Sequence, residues 1–369
     1  MTSTSATAAV LRAANGPLSL ETVQLASLRD DEVLVRMVGV GICHTDLGVL
    51  AAPGEGQLPI VLGHEGSGIV EEVGSAVTTV QPGDRVALSY ASCGTCDTCG
   101  RGLPMHCREF IPRNLVGARV DGSSPLSVDG EAVLGAWFGQ SSWATRSVTA
   151  ERNCVKVPDD VPLELVGPLG CGIQTGAGAV LNTLAPEPGS SIAVFAVGSV
   201  GLAAVLAAKS ADCATIIAVD IDDARLDRAR ELGATHTVNS SRDDSAKAVL
   251  ELTGGLGAQY SVDCIGLPDV VRAALECLQT PGVCASVGFQ GIPNEMSLDQ
   301  GHLLFGRSLV GVIEGDAVPQ EFVPRMLALH REGRFPFDEL ISTYAFDDIN
   351  AALDDVHHAR VTKAVLTFE

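Results

Sequence analysis

Positive charge is scarce in this 369-residue chain, in which 24 lysines and arginines stand against 45 aspartates and glutamates. The formal net charge is −21, and the pI is near 4.6. An anionic surface repels phosphate backbones, so we expect no nucleic-acid partner. Selection for solubility or an acidic proteome is a sufficient reason for this charge. If the ligand is an anionic dinucleotide, a few local cations must offset the repulsion from the negative surface.

Long hydrophobic runs are also absent from the sequence. No apolar run reaches the roughly 20 residues that a membrane-spanning helix requires. The segment Met1–Leu20 lacks the basic start and long apolar stretch of a secretory signal. We therefore expect a soluble cytoplasmic protein without a membrane partner. In such a reducing compartment the 11 cysteines are expected to be metal ligands or buried thiols rather than disulfides.

The pattern of apolar residues changes part-way along the chain, and the length itself predicts two domains. From Thr22 to Arg152, short β-branched runs are broken by glycine and proline, which predicts an irregular β-rich domain. Strand-like and helix-like runs then alternate, which predicts a parallel, doubly wound sheet. The expected strands are Ile192–Ala196, Thr215–Asp220, Tyr260–Ile265, Val283–Val287 and Leu309–Ile313, and the expected helices are Ser199–Lys209, Ala224–Leu232 and Val270–Leu278. A helix at Gln320–Arg331 and a strand at Lys363–Phe368 are expected to follow.

Four cysteines form a compact C-x2-C-x2-C-x7-C pattern within residues 93–107. Two-residue gaps let successive thiolates converge on one ion, and four thiolates complete a tetrahedral zinc site with no open position. An iron–sulfur cluster is the alternative ligand, and disulfides or idle thiols are the alternatives without a metal. The spacing favours a structural zinc held by Cys93, Cys96, Cys99 and Cys107.

Three more residues of metal-ligating type lie far apart in the sequence, each beside glycine. They are Cys43 in Gly41–Asp46, His64 in Gly63-His64-Glu65 and Cys171 in Gly170-Cys171-Gly172. Three protein ligands leave a fourth zinc position open, which is typical of a catalytic site. Each residue alone would be interpreted as a buried thiol or a core histidine, but the combination favours a metal. Asp46 is a candidate acceptor for a ligating imidazole, and Glu65 either modulates the metal or is a solvated loop residue.

A turn between an expected strand and an expected helix indicates a dinucleotide site. Residues 195–201 follow a G-x-G-x-x-G pattern, with Ala196 in place of the first glycine. Pyrophosphate is expected at the N-terminus of the following helix, and the cofactor residues predicted there are Gly198, Val200 and Gly201. Asp220 ends the next strand, where a carboxylate binds the ribose hydroxyls and repels a 2′-phosphate, so NAD is expected rather than NADP. An ordinary strand–turn–helix without a ligand is the alternative.

Together these motifs resemble the zinc-containing medium-chain alcohol dehydrogenase family over essentially the whole chain. The most specific element is Gly63-His64-Glu65-x2-Gly68-x5-Gly74-x2-Val77. Within the family the chain looks most similar to aryl (benzyl) alcohol dehydrogenases, on the stretches Gly41–Asp46, Phe138–Ser142 and Gly170–Gly176. The resemblance implies an α/β fold: a GroES-like zinc domain at 1–172 and 314–369, and a Rossmann domain at 173–313. It also implies reversible NAD-linked oxidation of a primary, aryl or allylic alcohol to its aldehyde, and two zinc ions per chain.

The resemblance further implies roles for individual residues. Cys43, His64 and Cys171 would bind the catalytic zinc, with Thr45 passing the alcohol proton onward. The residues at the cofactor would be His44 and Lys363 at the pyrophosphate, and Asp220 and Arg225 at the adenosine ribose. The substrate pocket would be lined by Tyr90, Trp137 and Phe138. Many relatives end the proton relay with a histidine five residues after the first zinc cysteine, but that residue is Gly48 here, so His44 or water would carry the proton.

Two alternative functions and an assembly state complete the sequence-based hypotheses. A hydroxymethyl-glutathione (formaldehyde) dehydrogenase would need a cationic pocket mouth, which nothing in the sequence demands. A non-catalytic dinucleotide-binding relative would be expected to lose the three zinc ligands, and this chain keeps them. Relatives pair the edge strands of their dinucleotide domains, so we expect a homodimer or homotetramer, with Leu309–Ile313 as the candidate edge.

Overall fold

The computed structural model describes residues 5–368, and these form two compact units. Unit 1 contains the described residues up to Gly172, together with Val318–Pro324 and those from Leu340 onward. Unit 2 contains Ile173–Ala317 and Arg325–Glu339. The sequence predicts that all of 314–369 belongs to the zinc domain, whereas residues 314–317 and 325–339 lie in unit 2. The second of these segments is tied to the rest of unit 2 by a side-chain contact, in which the Arg334 guanidinium donates a hydrogen bond to the carbonyl of Ser210.

The chain contains 18 strands and 11 α-helices among the described residues. The strands are β1 (Ser5–Leu11), β2 (Ser19–Leu25), β3 (Glu32–Gly41), β4 (Ile60–Val61), β5 (Glu65–Val73), β6 (Arg85–Leu88), β7 (Leu126–Val128), β8 (Glu131–Val133), β9 (Arg146–Ala150), β10 (Cys154–Lys156), β11 (Ser191–Phe195), β12 (Thr215–Asp220), β13 (His236–Asn239), β14 (Ala258–Asp263), β15 (Leu278–Ser286), β16 (Arg307–Gly311), β17 (Ile341–Ala345) and β18 (Lys363–Thr367). The helices are α1 (His44–Ala51), α2 (Asp97–Gly100), α3 (Phe110–Asn114), α4 (Gly172–Gly178), α5 (Ser199–Ser210), α6 (Asp223–Leu232), α7 (Ser245–Leu252), α8 (Pro268–Glu276), α9 (Gln300–Leu304), α10 (Pro319–Arg331) and α11 (Ile349–His357). None of the helices among residues 5–368 is long and apolar enough to cross a membrane.

Unit 1 contains two sheets, with strand orders β4-β1-β2-β7-β8 and β10-β6-β5-β3-β18-β17, and β9 also pairs with β3. The β-branched, almost wholly buried β3 forms the centre of the second sheet. It runs antiparallel to β5, with Gly41 opposite Glu65, and to β18, with Gly41 opposite Val365. The end of β3, the start of β5 and the middle of β18 therefore meet at one edge of the sheet. The residues that immediately precede α1 and β5 therefore lie close together at that edge.

Unit 2 is a parallel sheet with strand order β13-β12-β11-β14-β15-β16. From the central strand β11, β12 and β13 extend the sheet on one side and β14, β15 and β16 extend it on the other. The helices α5, α6, α7 and α8 follow β11, β12, β13 and β14 along the chain, as in a doubly wound dinucleotide-binding sheet. The expected α/β fold is therefore confirmed, with β12 at the expected Thr215–Asp220. The carboxyl ends of β11 and β12 lie at the same edge, because neighbouring parallel strands share their direction.

Candidate active site

Three segments bring metal-ligating side chains together in unit 1. Cys43 immediately precedes α1, His64 immediately precedes β5, and Cys171 follows the 3₁₀ turn Gly167–Gly170. One ligand atom from each of Cys43, His64, Glu65 and Cys171 lies within 4.8 Å of the others. Gly63 makes this approach possible, because its φ is +85° and a Cβ there would lie 2.3 Å from the Trp143 ring. The structure thus unites the three scattered ligand types and adds a fourth donor.

The His64 imidazole has one nitrogen bonded and the other buried without a partner. Its Nδ1 lies 2.8 Å from Asp46 Oδ1, whereas Nε2 has no hydrogen-bond partner among the described residues. A carboxylate on Nδ1 favours the tautomer that leaves a lone pair on Nε2, which is the state that binds a metal. The orphaned Nε2 and the neighbouring thiols fit a thiolate- and imidazole-binding ion such as zinc.

The charges around the cluster favour a cation. A hydrogen bond from Cys171 and the charge of His64 hold the pKa of the Cys43 thiol well below its usual range, although burial opposes this. Burial also disfavours the charged imidazole, but Asp46 and Cys43 together raise the pKa of His64 well above its ordinary value. These are the surroundings that a divalent metal ion requires, since the same negative groups that hold a proton attract the ion.

Asp46 connects the metal-ligand segments through its wholly buried carboxylate. Oδ2 accepts a hydrogen bond from the backbone N–H of Cys43 at 3.2 Å. Oδ1 accepts one from the backbone N–H of Gly63 at 3.2 Å, besides its contact with His64. The indole N–H of Trp137 donates to the same Oδ1 at 2.9 Å. One carboxylate therefore fixes the start of α1, the start of β5 and a third segment.

Glu65 and Lys363 form a buried ion pair beside the cluster. The ammonium of Lys363, which is 2% exposed, lies 2.9 Å from each Glu65 carboxylate oxygen and 3.1 Å from the Ile42 carbonyl oxygen. The Gly172 N–H donates to Glu65 Oε1 at 3.0 Å. Burial lowers the pKa of Lys363, but the Glu65 carboxylate outweighs that effect and raises it. Lys363, which the sequence analysis assigns to the pyrophosphate, instead directs its ammonium to this carboxylate.

The remaining residues expected at the catalytic site lie around the same cluster. Thr45 Oγ1 is 3.7 Å from Cys43 Sγ, and His44 is exposed at the start of α1. Tyr90 and Phe138 are both buried, and Phe110 contacts both of their rings, with centroids 5.9 and 6.5 Å away. Phe110 is absent from the residues expected from sequence, because its position at the start of α3 depends on the fold of the preceding cysteine segment.

The four-cysteine segment folds into a compact lobe around α2 and the 3₁₀ turn Pro104–His106. Its four sulfur atoms, from Cys93, Cys96, Cys99 and Cys107, lie within 4.8 Å of one another. Backbone N–H groups point at the sulfurs: Cys96 donates to Cys93 at 3.3 Å and Cys93 donates to Cys107 at 3.2 Å. The hydroxyl of Thr98 lowers the pKa of Cys96 to about 5. All cysteines of the described chain are free thiols, which fits a metal site better than disulfides.

The candidate cofactor turn joins β11 to α5 in unit 2. Ala196 has a φ of +65°, so an alanine takes the left-handed conformation that glycine adopts without strain. Gly201 packs α5 against this turn, because a Cβ there would lie 2.2 Å from the Ala196 carbonyl oxygen. Gly198 is the N-cap residue of α5. The space beside it is open, because a Cβ there would meet no described atom within 4 Å. This open backbone at a helix N-terminus fits a pyrophosphate.

Asp220 lies at the end of β12, beside that turn. Its carboxylate accepts a hydrogen bond from the Val197 N–H at 2.8 Å and one from the Ile221 N–H at 2.8 Å. The Arg225 guanidinium lies 3.8 Å from Asp220 Oδ1. Asp220 is 5% exposed, so a charged carboxylate stands fixed where the first and second strands of the doubly wound sheet end.

Comparisons with known proteins place this geometry in a family. Residues 29–159 match the sequence profile described as the alcohol dehydrogenase GroES-like domain. Residues 199–331 match the profile described as zinc-binding dehydrogenase. The chain belongs to the zinc-dependent medium-chain alcohol dehydrogenases. The resemblance inferred from the sequence is therefore confirmed, and alcohol dehydrogenase activity follows from it.

Individual relatives agree with this assignment over nearly their full lengths. The chain is 47% identical to a geraniol dehydrogenase of Castellaniella defragrans, covering 99% of this chain and 98% of the relative. It is 36% identical to a class-3 alcohol dehydrogenase of Caenorhabditis elegans, covering 98% and 96%. The crystal structure of benzyl alcohol dehydrogenase from Acinetobacter calcoaceticus superposes with a TM-score of 0.95 at 42% identity, covering 99% of this chain and 100% of that one.

Proposed function

We propose that this alcohol dehydrogenase oxidises a primary aryl or allylic alcohol to its aldehyde, with NAD as the hydride acceptor. The balanced reaction converts RCH₂OH and NAD⁺ to RCHO, NADH and a proton. The observation that carries the proposal is the convergence of Cys43, His64 and Cys171 around an imidazole Nε2 that has no partner among residues 5–368. These three residues would hold a catalytic zinc ion.

Each bound group would supply a defined piece of chemistry. Zinc supplies Lewis acidity, which lowers the pKa of an alcohol oxygen. The nicotinamide supplies the hydride acceptor. The protein contributes the surroundings: His64, Glu65 and Asp46 are almost wholly buried, so water is excluded and charges act in a medium of low dielectric constant.

The proton leaves through the side chains beside Cys43. Thr45 Oγ1, 3.7 Å from Cys43 Sγ, accepts the alcohol proton and passes its own proton onward. Gly48 cannot take part, because it has no side chain. The exposed His44, next to Thr45 in the chain, or solvent then carries the proton away.

Two more features of the proposal concern the cofactor and the second metal. Gly198, Val200 and Gly201 would bind the NAD pyrophosphate at the N-terminus of α5, and Asp220 would bind the adenosine ribose. Arg225 would support Asp220. The four cysteines of residues 93–107 would hold a second zinc ion, which would stabilise the lobe and, with four protein ligands, would play a structural role.

The substrate class is supported by the relatives and by the aromatic rings. Geraniol is a primary allylic alcohol and benzyl alcohol a primary aryl alcohol, and these are the alcohols in the names of the relatives described above. Tyr90, Phe110 and Phe138 group their rings near the metal cluster. Flat apolar substrates gain more than ethanol from burial against such rings, at about 25 cal/mol per Å² of apolar surface.

A substrate panel tests this proposal. Steady-state rates with NAD are measured for benzyl alcohol, geraniol, ethanol and hydroxymethyl-glutathione. We expect kcat/KM for benzyl alcohol and geraniol to exceed that for ethanol by at least about tenfold, because each additional buried carbon group adds discrimination. A preference for hydroxymethyl-glutathione or for ethanol would contradict the aryl or allylic assignment.

A further inference from the structure

The segment 137–141, which precedes β9, contains an unusual cluster of left-handed residues. Phe138 has a φ of +50°, Gly139 +63° and Ser141 +47°. L-residues with side chains adopt this conformation at a cost, and it persists only where the surroundings determine it. This turn, residues 137–141, packs against the metal-ligand cluster of unit 1 through the contact of Phe138 with His64. Strained backbone of this kind is concentrated at functional sites.

Hydrogen bonds hold the turn in its strained form. Ser141 Oγ accepts from the backbone N–H of Trp137 at 2.8 Å and donates to the Val61 carbonyl at 2.7 Å. The Gln140 side chain donates from Nε2 to the carbonyl of His64 at 2.9 Å. Val61 and His64 flank the same short stretch before β5, so the turn is fixed to the segment that carries the histidine.

The turn presents two aromatic side chains to the His64 imidazole. The Phe138 ring stacks on it, with centroids 4.3 Å apart and planes 20° from parallel. The Trp137 ring lies edge-on to the same imidazole, with centroids 6.4 Å apart. Its indole N–H donates to Asp46 Oδ1 at 2.9 Å, and the same oxygen lies 2.8 Å from His64 Nδ1. Trp137 itself is 2% exposed. Its polar atom is thus directed at the carboxylate that orients the metal ligand.

We propose that Trp137 is a positioning residue for the catalytic metal rather than a side chain that lines the substrate pocket. Its indole N–H fixes the Asp46 carboxylate, and Asp46 in turn fixes the tautomer and orientation of His64. Groups that orient a metal ligand in this way control how firmly the metal is held. This inference rests on the proposed function, because it takes His64 as a zinc ligand.

The chain offers a matched control. Trp143 is wholly buried, and its ring packs against Gly63, the residue before His64. Its indole N–H has no hydrogen-bond partner within the part of the chain that the structure describes. Trp137→Phe and Trp143→Phe remove the same atoms from two buried rings, and only the first removes a hydrogen bond. A difference between the two variants therefore reports the N–H and not the lost volume.

The experiment measures zinc loss from each purified, zinc-loaded protein to an excess of a coloured chelator. Wild type is expected to release two zinc ions in separate phases, one from the four-cysteine lobe and one from the catalytic site. We expect Trp137→Phe to accelerate zinc release in the catalytic phase by about tenfold. Removing a group that orients a metal ligand typically weakens metal binding by this order. The lobe phase should keep its rate and thereby show that unit 1 remains folded. Trp143→Phe should match wild type in both phases.

A double-mutant cycle separates action through Asp46 from general packing. In an Asp46→Ala background, Trp137→Phe should change the release rate by less than about twofold, because the acceptor is already gone. Trp137→Met also removes the N–H and should release zinc at the same rate as Trp137→Phe. It serves as the test variant if Trp137→Phe does not fold. In the cobalt-substituted enzyme, the thiolate-to-metal absorption band should shift in Trp137→Phe and stay unchanged in Trp143→Phe.

Two outcomes would overturn the inference. One is a catalytic phase in Trp137→Phe as slow as in wild type. The other is an equal acceleration by both tryptophan substitutions. A wild-type protein that holds zinc only in the four-cysteine lobe would instead contradict the proposed function, so the two failures are distinguishable.

Discussion

We expect the choice between NAD and NADP to depend on Asp220. A 2′-phosphate placed about 4 Å from a carboxylate meets about 4 kcal/mol of repulsion at an effective dielectric constant of about 20. The carboxylate is held rigidly by the backbone N–H groups of Val197 and Ile221. Arg225 lies 3.8 Å from it, so that cation is already directed at Asp220. We therefore expect NAD to be preferred over NADP by at least about tenfold.

Asp220→Asn tests this expectation with little change of shape. The amide oxygen can still accept the Val197 N–H, while the negative charge is lost and Arg225 becomes available to a phosphate. We expect kcat/KM with NADP to rise, kcat/KM with NAD to fall, and their ratio to change by at least about tenfold. Asp227→Asn is the control, since Asp227 lies exposed on α6 in an ion pair with Arg230. An unchanged ratio in Asp220→Asn would show that Asp220 does not contact the ribose.

Residue types could be predicted from the sequence more readily than residue partners. Cys43, His64 and Cys171 stand beside glycines, and the requirement for soft ligands singles them out. The pairing of Glu65 with Lys363 spans 298 positions, and only the antiparallel contact of β3 with both β5 and β18 brings the two together. The residues next to Glu65 or Lys363 in the sequence do not indicate that contact. For the same reason the partner of the Trp137 indole was beyond prediction.

At the scale of elements, the cysteine lobe is the clearest test of the metal content. Its helix α2 has only four residues, too few to be stable alone, so the metal is expected to hold the lobe together. We expect two zinc ions per wild-type chain by mass spectrometry, and one in Cys96→Ser. The melting temperature of Cys96→Ser should fall by at least about 5 °C, because a metal bound only in the folded state stabilises that state.

Two controls accompany the metal count. His64→Ala should also retain one zinc ion, the one in the four-cysteine lobe, and should have no activity. Cys154→Ser removes a buried thiol of unit 1 that lies outside both cysteine clusters and should keep two ions. One zinc ion or fewer in the wild type, purified without chelator, would contradict the two-site proposal.

The elements of unit 2 were predictable where the pattern was strongly apolar. The expected strands at Ile192–Ala196 and Thr215–Asp220 match β11 and β12 closely. The apolar pattern does not predict the strand β13 or the helix α7. The strand β13 has four residues and lies at the edge of the sheet, where His236 is exposed. A short edge strand with a polar residue lacks the apolar run that identifies a buried strand.

At the scale of the whole molecule, the outer strand of unit 2 bears on assembly. The strand β16 has a sheet neighbour on one side only, among the described residues. Leu304 and Phe305 just before it are 67% and 73% exposed. An apolar edge of this kind is a liability in a monomer. We therefore propose a homo-oligomer in which this edge is covered by a second copy.

Light scattering at micromolar concentration tests the assembly. We expect a mass of at least twice the 38.1 kDa of one chain. Phe305→Glu should weaken the assembly by placing a charge in the apolar contact. The control is Phe289→Glu, which places the same charge on another exposed aromatic residue of unit 2 and should leave the mass unchanged. A mass near that of one chain in the wild type would contradict the proposal.

The noncontiguous course of unit 1 has a consequence for biosynthesis. A ribosome makes β3 and β5 early, but β18 emerges only after all of unit 2 has been synthesised. Until then the Glu65 carboxylate lacks the Lys363 ammonium, and an unpaired charge at such a buried position costs about 3–5 kcal/mol. We therefore expect the nascent first unit to remain incompletely folded until its last strand has been translated. A fragment that ends before β18 would remain in that state and would be a substrate for chaperones or proteases.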